Sequence, residues 1–161
     1  MSNNFTGLPE NSLLIGDGKY PYHLSVGIVA VKDGKVAVLK RNMEGKGEIY
    51  LLPKETVQAD ETFRQAALRG LKEELGGKGK LISFVGSRPY QFMRGDVEIK
   101  KTVIYFLLEV SEIGERMPEE NEKDDEVLWV DKKEAIELLS NKDNPEGFGW
   151  EGEFLSEILN S

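Results

Sequence analysis

The chain has no cysteine, and its 161 residues include a single histidine, His23. Disulfides, thiolate nucleophiles, cysteine-ligated zinc and multi-histidine metal sites are therefore excluded. Long hydrophobic runs are missing as well, since no segment approaches the roughly 18 apolar residues that span a bilayer. Residues 1–23 contain no basic region leading into an apolar run, so no targeting segment is expected there. Positive charge is in the minority, with 21 Lys and Arg against 29 Asp and Glu, a net charge of −8 and a pI near 4.9. Attraction to long nucleic acid by overall charge is disfavoured, because phosphate neutralisation needs clustered Lys and Arg. A small phosphorylated ligand approached through a metal fits that balance. The expectation is a soluble, cytoplasmic protein. Carboxylates, lysines and arginines are left for chemistry, and carboxylates favour hard cations such as Mg²⁺ or Mn²⁺.

No repeat, low-complexity tract or Pro/Ser-rich linker divides the chain, so residues 1–161 are expected to form one domain, with an N-terminal extension over 1–21 and a C-terminal turn and helix over 141–161. Residues 22–40 are rich in Val and Ile and break at Asp33-Gly34, which predicts a hairpin. Ile49 to Leu52 can add a short strand before Pro53. Apolar residues at Phe63, Ala66, Ala67, Leu71 and Leu75 predict a helix from Glu61 to Leu75, capped by Asp60 and stopped by Gly76-Gly77. Strands follow at 80–90 and 98–110, then an acidic loop at 118–126. A strand at 127–130 leads into a helix from Asp131 to about Leu139, and a last amphipathic helix covers 150–159. Trp129 is expected to pack against the last helices. Strands covered by helices on both faces define an α/β class, a three-layer α/β/α sandwich with a mixed central sheet.

The helix at 61–75 ends with Glu73 and Glu74 side by side, where the backbone dipole disfavours carboxylates by about 0.3–1 kcal/mol each. Residues three and four apart share a helix face, so Gly70, Glu73, Glu74 and Gly77 form one strip, and both acids are expected to point out of the domain. A positive group, a divalent cation in particular, would reverse the sign of that interaction.

The stretch as a whole resembles the signature of the Nudix hydrolase family: Gly, five residues, Glu, seven residues, then Arg-Glu-apolar-any-Glu-Glu-any-Gly-apolar. Glu61, Arg69, Leu71, Glu73, Glu74 and Gly76 fall on six of its nine fixed positions. Leu52-Pro53-Lys54 and the hairpin before it are similar to the family's approach to its motif, and the resemblance extends over residues 22–140. It implies a Mg²⁺- or Mn²⁺-dependent hydrolase that cleaves a diphosphate linkage in a small nucleoside diphosphate or triphosphate derivative, working as a monomer or homodimer. By position, Glu73, Glu74 and the backbone carbonyl of Lys54 would be metal ligands, while Glu61, Arg69 and Gly76 would brace the motif.

Three positions depart from the signature. Glu55 stands in place of its first glycine, Gly70 in place of the glutamate that follows its arginine and Gly77 in place of its last apolar residue. A general base must then come from elsewhere. Glu126, next to the strand at 127–130, and Glu55, next to Lys54, are the candidates, with Glu119, Glu120, Glu122, Asp124 and Asp125 as further acids of the loop. Arg41 and Arg88 are candidate phosphate contacts, and Tyr90 and Phe92 candidate base-stacking groups. His23 lacks a triad-like partner system and reads as a local hydrogen-bonding residue. Two rivals stand beside the hydrolase: a weak or inactive nucleotide-binding module of the same fold, and a prenyl diphosphate isomerase-like enzyme, which the absence of cysteine disfavours.

Overall fold

The computed structural model describes residues 14–15, 22–43, 47–94, 96–118, 123–141 and 149–159. The hairpin forms as predicted from β2 (Tyr22–Lys32) and β3 (Lys35–Met43). Its two-residue turn has Asp33 at φ 52° and Gly34 at φ 77°, the pair of positive angles that suits the twist of the flanking strands. Hairpin pairing is brief, Val31↔Val36 and Lys32↔Lys35, because β3 then leaves β2 for β4 (Gly47–Leu51), while its other edge pairs with β8 (Glu126–Asp131) from Lys35 onward.

The edge of β2 that β3 vacates is taken by β5 (Lys54–Thr56), antiparallel, with Val26↔Glu55 and Gly27↔Lys54. The other edge pairs in parallel with β7 (Val97–Ile113), whose outer neighbour is the antiparallel β6 (Gly77–Arg94). The two-residue β1 (Leu14–Ile15) also pairs with β2, which draws part of the expected N-terminal extension into the sheet. The result is an eight-stranded mixed sheet in the order β4-β3-β2-β7-β6, with β1, β5 and β8 as side branches.

Alternate residues of β2 feed two cores, as the two-residue period of a strand requires. Val26, Ile28 and Ala30 pack with Ala66, Ala67, Leu71 and Leu75 of α1 (Phe63–Leu75) on one face. Val29 packs with Ala135 and Leu139 of α2 (Lys132–Leu139) and Leu155 of α3 (Glu151–Leu159) on the other. This is the expected three-layer arrangement. Each fully buried leucine contributes about 1.5–3 kcal/mol by transfer from water.

Local differences from expectation have identifiable causes. The cap of α1 is Thr62 rather than Asp60: the Thr62 hydroxyl accepts from Gln65 N at 3.1 Å, and the Gln65 side chain accepts from Thr62 N at 2.8 Å, a reciprocal box that Asp60 cannot make with this spacing. Strands β6 and β7 run to 18 and 17 residues because they pair with each other almost end to end, through register shifts near Lys78, Leu81 and Phe84. Trp129 packs on the α1 side of the sheet, and Trp150 is the tryptophan among the last helices, because residue 129 shares its face of β8 with Val127. Residues 142–148, where the C-terminal turn is expected, and the acids Glu119, Glu120 and Glu122 lie outside the described residues.

Candidate active site

The short strand β5 positions the site. Its pleat sends adjacent side chains to opposite faces of the sheet. Lys54 points toward α3, where its ammonium meets Glu151 at 2.8 Å, and Glu55 points toward α1, where its carboxylate meets Arg69 Nη1 at 3.0 Å. Arg69 is the hub of the motif. Its Nε and Nη2 reach the two oxygens of Glu61 at 2.7 and 2.9 Å, its Nη2 also reaches the Thr56 carbonyl at 2.8 Å, and its Nη1 meets Glu73 at 3.3 Å as well as Glu55. The predicted brace between Glu61 and Arg69 is present in bidentate form, the geometry for which a guanidinium is suited. Its hydrogen bond holds the Glu61 carboxyl below the usual carboxylate range despite burial, and the same bond, with Glu55 adding to it, raises Arg69.

The two terminal acids of α1 do not point out together. Glu73 lies one turn from Arg69 with its side chain 29% exposed, whereas Glu74 is only 1% exposed. The helical period explains the split. Glu74 continues the buried row Ala67, Gly70, Leu71, and Glu73 continues from Arg69.

The positive group expected at this helix end is found in the chain itself. Arg116 Nε donates to the Glu74 carbonyl at 2.6 Å and its Nη1 to the Asp125 carbonyl at 2.7 Å. Met117 N and Gly114 N satisfy the carbonyls of Glu73 and Gly76 at 2.9 and 2.6 Å. Gly76 is the left-handed cap at φ 66°, and a Cβ there would come within 2.3 Å of the Gly114 carbonyl oxygen. Arg116 ties the motif helix to the segment entering β8. It sits in a charged loop with no periodicity, so no sequence signal marked it.

The remaining predicted residues scatter. Arg41 forks onto the buried carboxylate of Asp125, with contacts of 2.8, 3.0 and 3.2 Å, so its guanidinium is committed to the fold. Glu126 opens β8 opposite Lys40, whose ammonium lies 3.8 Å from its carboxylate, and its side chain is exposed. Tyr90 and Arg88 belong to the opposite face. Tyr90 is buried, with its hydroxyl 3.1 Å from that of Tyr105 and accepting from Trp150 Nε1 at 2.7 Å, and Arg88 lies 4.6 Å over the Trp150 ring. The expectation that Tyr90 stacks on a base is corrected accordingly: its ring is core of the α3 layer, because the pleat of β6 turns it away from α1. The side chain of Phe92 lies outside the described residues.

Arg69 faces three carboxylates with one positive charge, which leaves the group net negative and rich in hard oxygen donors. Among the described residues no three carboxylate or imidazole groups converge on one point, so no closed cage exists. The donors fit the way Mg²⁺ is commonly held, by one or two carboxylates completed by waters and substrate phosphates.

The three-layer sandwich and the acidic motif helix braced by arginine define the class. A family model for the NUDIX domain matches residues 21–149, and the chain belongs to this family. Nudix hydrolase 21, chloroplastic, of Arabidopsis thaliana is 34% identical over 131 residues, which cover 79% of this chain and 59% of that protein. The chain spans about half the length of the curated relatives it matches. Among solved structures, a NUDIX hydrolase from Nitrosomonas europaea superposes with a TM-score of 0.62 at 14% identity, covering 84% of this chain and 88% of that one. An ADP compounds hydrolase superposes with a TM-score of 0.61 at 17% identity, covering 85% and 72%. Both likenesses concern the fold. Among the described residues no helix is long and apolar enough to cross a membrane.

Proposed function

We propose that the chain is a divalent-cation-dependent hydrolase that cleaves a diphosphate linkage in a small nucleoside diphosphate or triphosphate derivative. The observation that carries this reading is the charge imbalance around Arg69, a residue of the motif helix of a Nudix domain that Glu55, Glu61 and Glu73 share. Glu73, Glu74 and the Lys54 carbonyl would hold Mg²⁺ or Mn²⁺. A cation bound there supplies neutralisation of the diphosphate and makes water a better nucleophile. The protein's own part is to keep the motif rigid through the Glu61–Arg69 fork, to anchor the approach loop through Lys54 and Glu151, and to accept the proton released when water attacks phosphorus. Glu55 and Glu126 are the carboxylates proposed for that last role. The base is the one whose replacement by glutamine flattens the acidic limb of the pH–rate profile.

A panel of nucleotide sugars, dinucleoside polyphosphates, ADP-ribose and modified nucleoside triphosphates, assayed with Mg²⁺ and with Mn²⁺, tests the activity. Turnover of at least one member that is abolished by EDTA and by Glu74→Gln supports the reading. Binding without bond cleavage across the panel sinks it and leaves a nucleotide-binding module.

A further inference from the structure

Gly70 lies inside α1, where glycine costs roughly 1 kcal/mol relative to alanine, so something must exclude a side chain there. Backbone conformation does not, since Gly70 has no positive φ. Packing does. A Cβ placed on Gly70 would lie 2.8 Å from Ile28 Cδ1 and 3.0 Å from Glu55 Cβ, with Glu55 Cγ at 3.5 Å. Two neighbours fill the space: Ile28 does so with the end of a flexible side chain, and Glu55, an acid, does so with its stem, held toward α1 by the Val26↔Glu55 register of β5 and buried to 6% exposure.

Resting on the reading proposed above, we infer that Glu55 and Gly70 are a matched pair, in which β5 delivers to the cation site the carboxylate that α1 does not carry, and Glu55 holds the divalent cation together with Glu73, which leaves the proton to Glu126. Two departures from the motif thereby become one exchange: glycine and glutamate have traded places between strand and helix, and the carboxylate reaches the same face from the other side. The geometry couples the two positions, because a side chain at 70 crowds the Glu55 stem as well as Ile28 and one of them must shift to admit it. The charge is directed as well. Two guanidinium nitrogens of Arg69 are occupied by Glu61, so Glu55 and Glu73 share only Nη1, at 3.0 and 3.3 Å, and bring more negative charge to that point than it neutralises.

Mn²⁺ binding to the metal-free protein, followed by electron paramagnetic resonance, and thermal unfolding in EDTA test the pair in five proteins: the parent, Glu55→Gln, Gly70→Glu, Glu55→Gly and the double variant Glu55→Gly/Gly70→Glu. Glu55→Gln, nearly isosteric and expected to fold, weakens Mn²⁺ binding by about tenfold or more. Gly70→Glu alone lowers Tm by about 5 °C through overpacking. Adding Glu55→Gly to it recovers both Tm and Mn²⁺ affinity toward the parent values. Unchanged Mn²⁺ affinity in Glu55→Gln, or Tm changes of the two single substitutions that merely add in the double variant, would overturn the pairing. If no diphosphate substrate is cleaved while the Mn²⁺ pattern holds, the hydrolase reading fails and the pairing stands.

Discussion

Adjacent residues of one three-residue strand enter two buried ionic sites of opposite character. On the α3 side, Lys54 meets Glu151, a fully buried carboxylate that also accepts from Leu52 N at 3.0 Å and from the Tyr105 hydroxyl at 2.6 Å. One ammonium faces one carboxylate there, and neutral donors complete the shell. Burial drives Lys54 down against the pull of Glu151, and burial with Glu151 beside it drives Tyr105 up, so the phenol stays a neutral donor. On the α1 side, one guanidinium serves three carboxylates. The first site is closed and balanced, which is what holding a terminal helix onto a sheet requires. The second is partly exposed and carries surplus negative charge, a cost that a bound cation would remove.

The largest effect that separates the two sites is expected on the balanced one. Glu151→Ala leaves Lys54, Leu52 N and the Tyr105 hydroxyl without their buried acceptor and should destabilise by about 3–5 kcal/mol, measured by chemical unfolding. Mn²⁺ should recover little of that loss directly. A Glu151→Ala protein as stable as the parent would mean that the α3 network does not hold the fold.

Arg69→Met should cost less, about 1–3 kcal/mol, because part of its surroundings is solvated. It sharpens the comparison through its cation dependence: with the guanidinium gone, saturating Mn²⁺ should raise Tm by more than it does in the parent. An equal rise in both proteins would mean that the carboxylates around Arg69 do not face the cation.

Acid dependence is the smallest of the three effects. The folded-state pKa of Glu61 is lowered, so the fork to Arg69 contributes stability that is complete above the ordinary carboxyl value of 4.5 and is lost as pH falls through the folded value. Glu61→Gln should therefore lose less stability than the parent between pH 5 and pH 3, as read from Tm across that range. Parallel acid profiles would remove Glu61 from the account.

The parts that follow periodicity were legible in the sequence: the Asp33-Gly34 hairpin, the buried face of α1 and the layer order all come from spacing that a helix or strand imposes. The Glu61–Arg69 brace was legible by another route, the resemblance of residues 55–77 to the Nudix signature, which implies that pair. Residues whose meaning comes from tertiary placement were not. Lys54–Thr56 has no apolar alternation and becomes a strand only because β3 leaves part of the β2 edge vacant. Glu151 looks like a surface acid at the start of an amphipathic helix until Lys54 and Tyr105 surround it. Glu74 was placed on the outer strip because residues 70, 73, 74 and 77 share a broad face, and a strip that wide spans both buried and exposed positions. Gly70 was visible as an anomaly, but its reason lies in Ile28 and in Glu55, fifteen positions earlier and in contact only after β5 pairs with β2.

The most direct test of the claim that the unbalanced site is the working one is cation-dependent cleavage by Glu73→Gln, the half-exposed acid that shares Arg69 Nη1 with Glu55. On a diphosphate substrate found with the parent, at saturating Mg²⁺, the account predicts a loss in kcat/KM of about a hundredfold or more, with Tm in EDTA within a few degrees of the parent. Cleavage by Glu73→Gln at the parent's rate would contradict it.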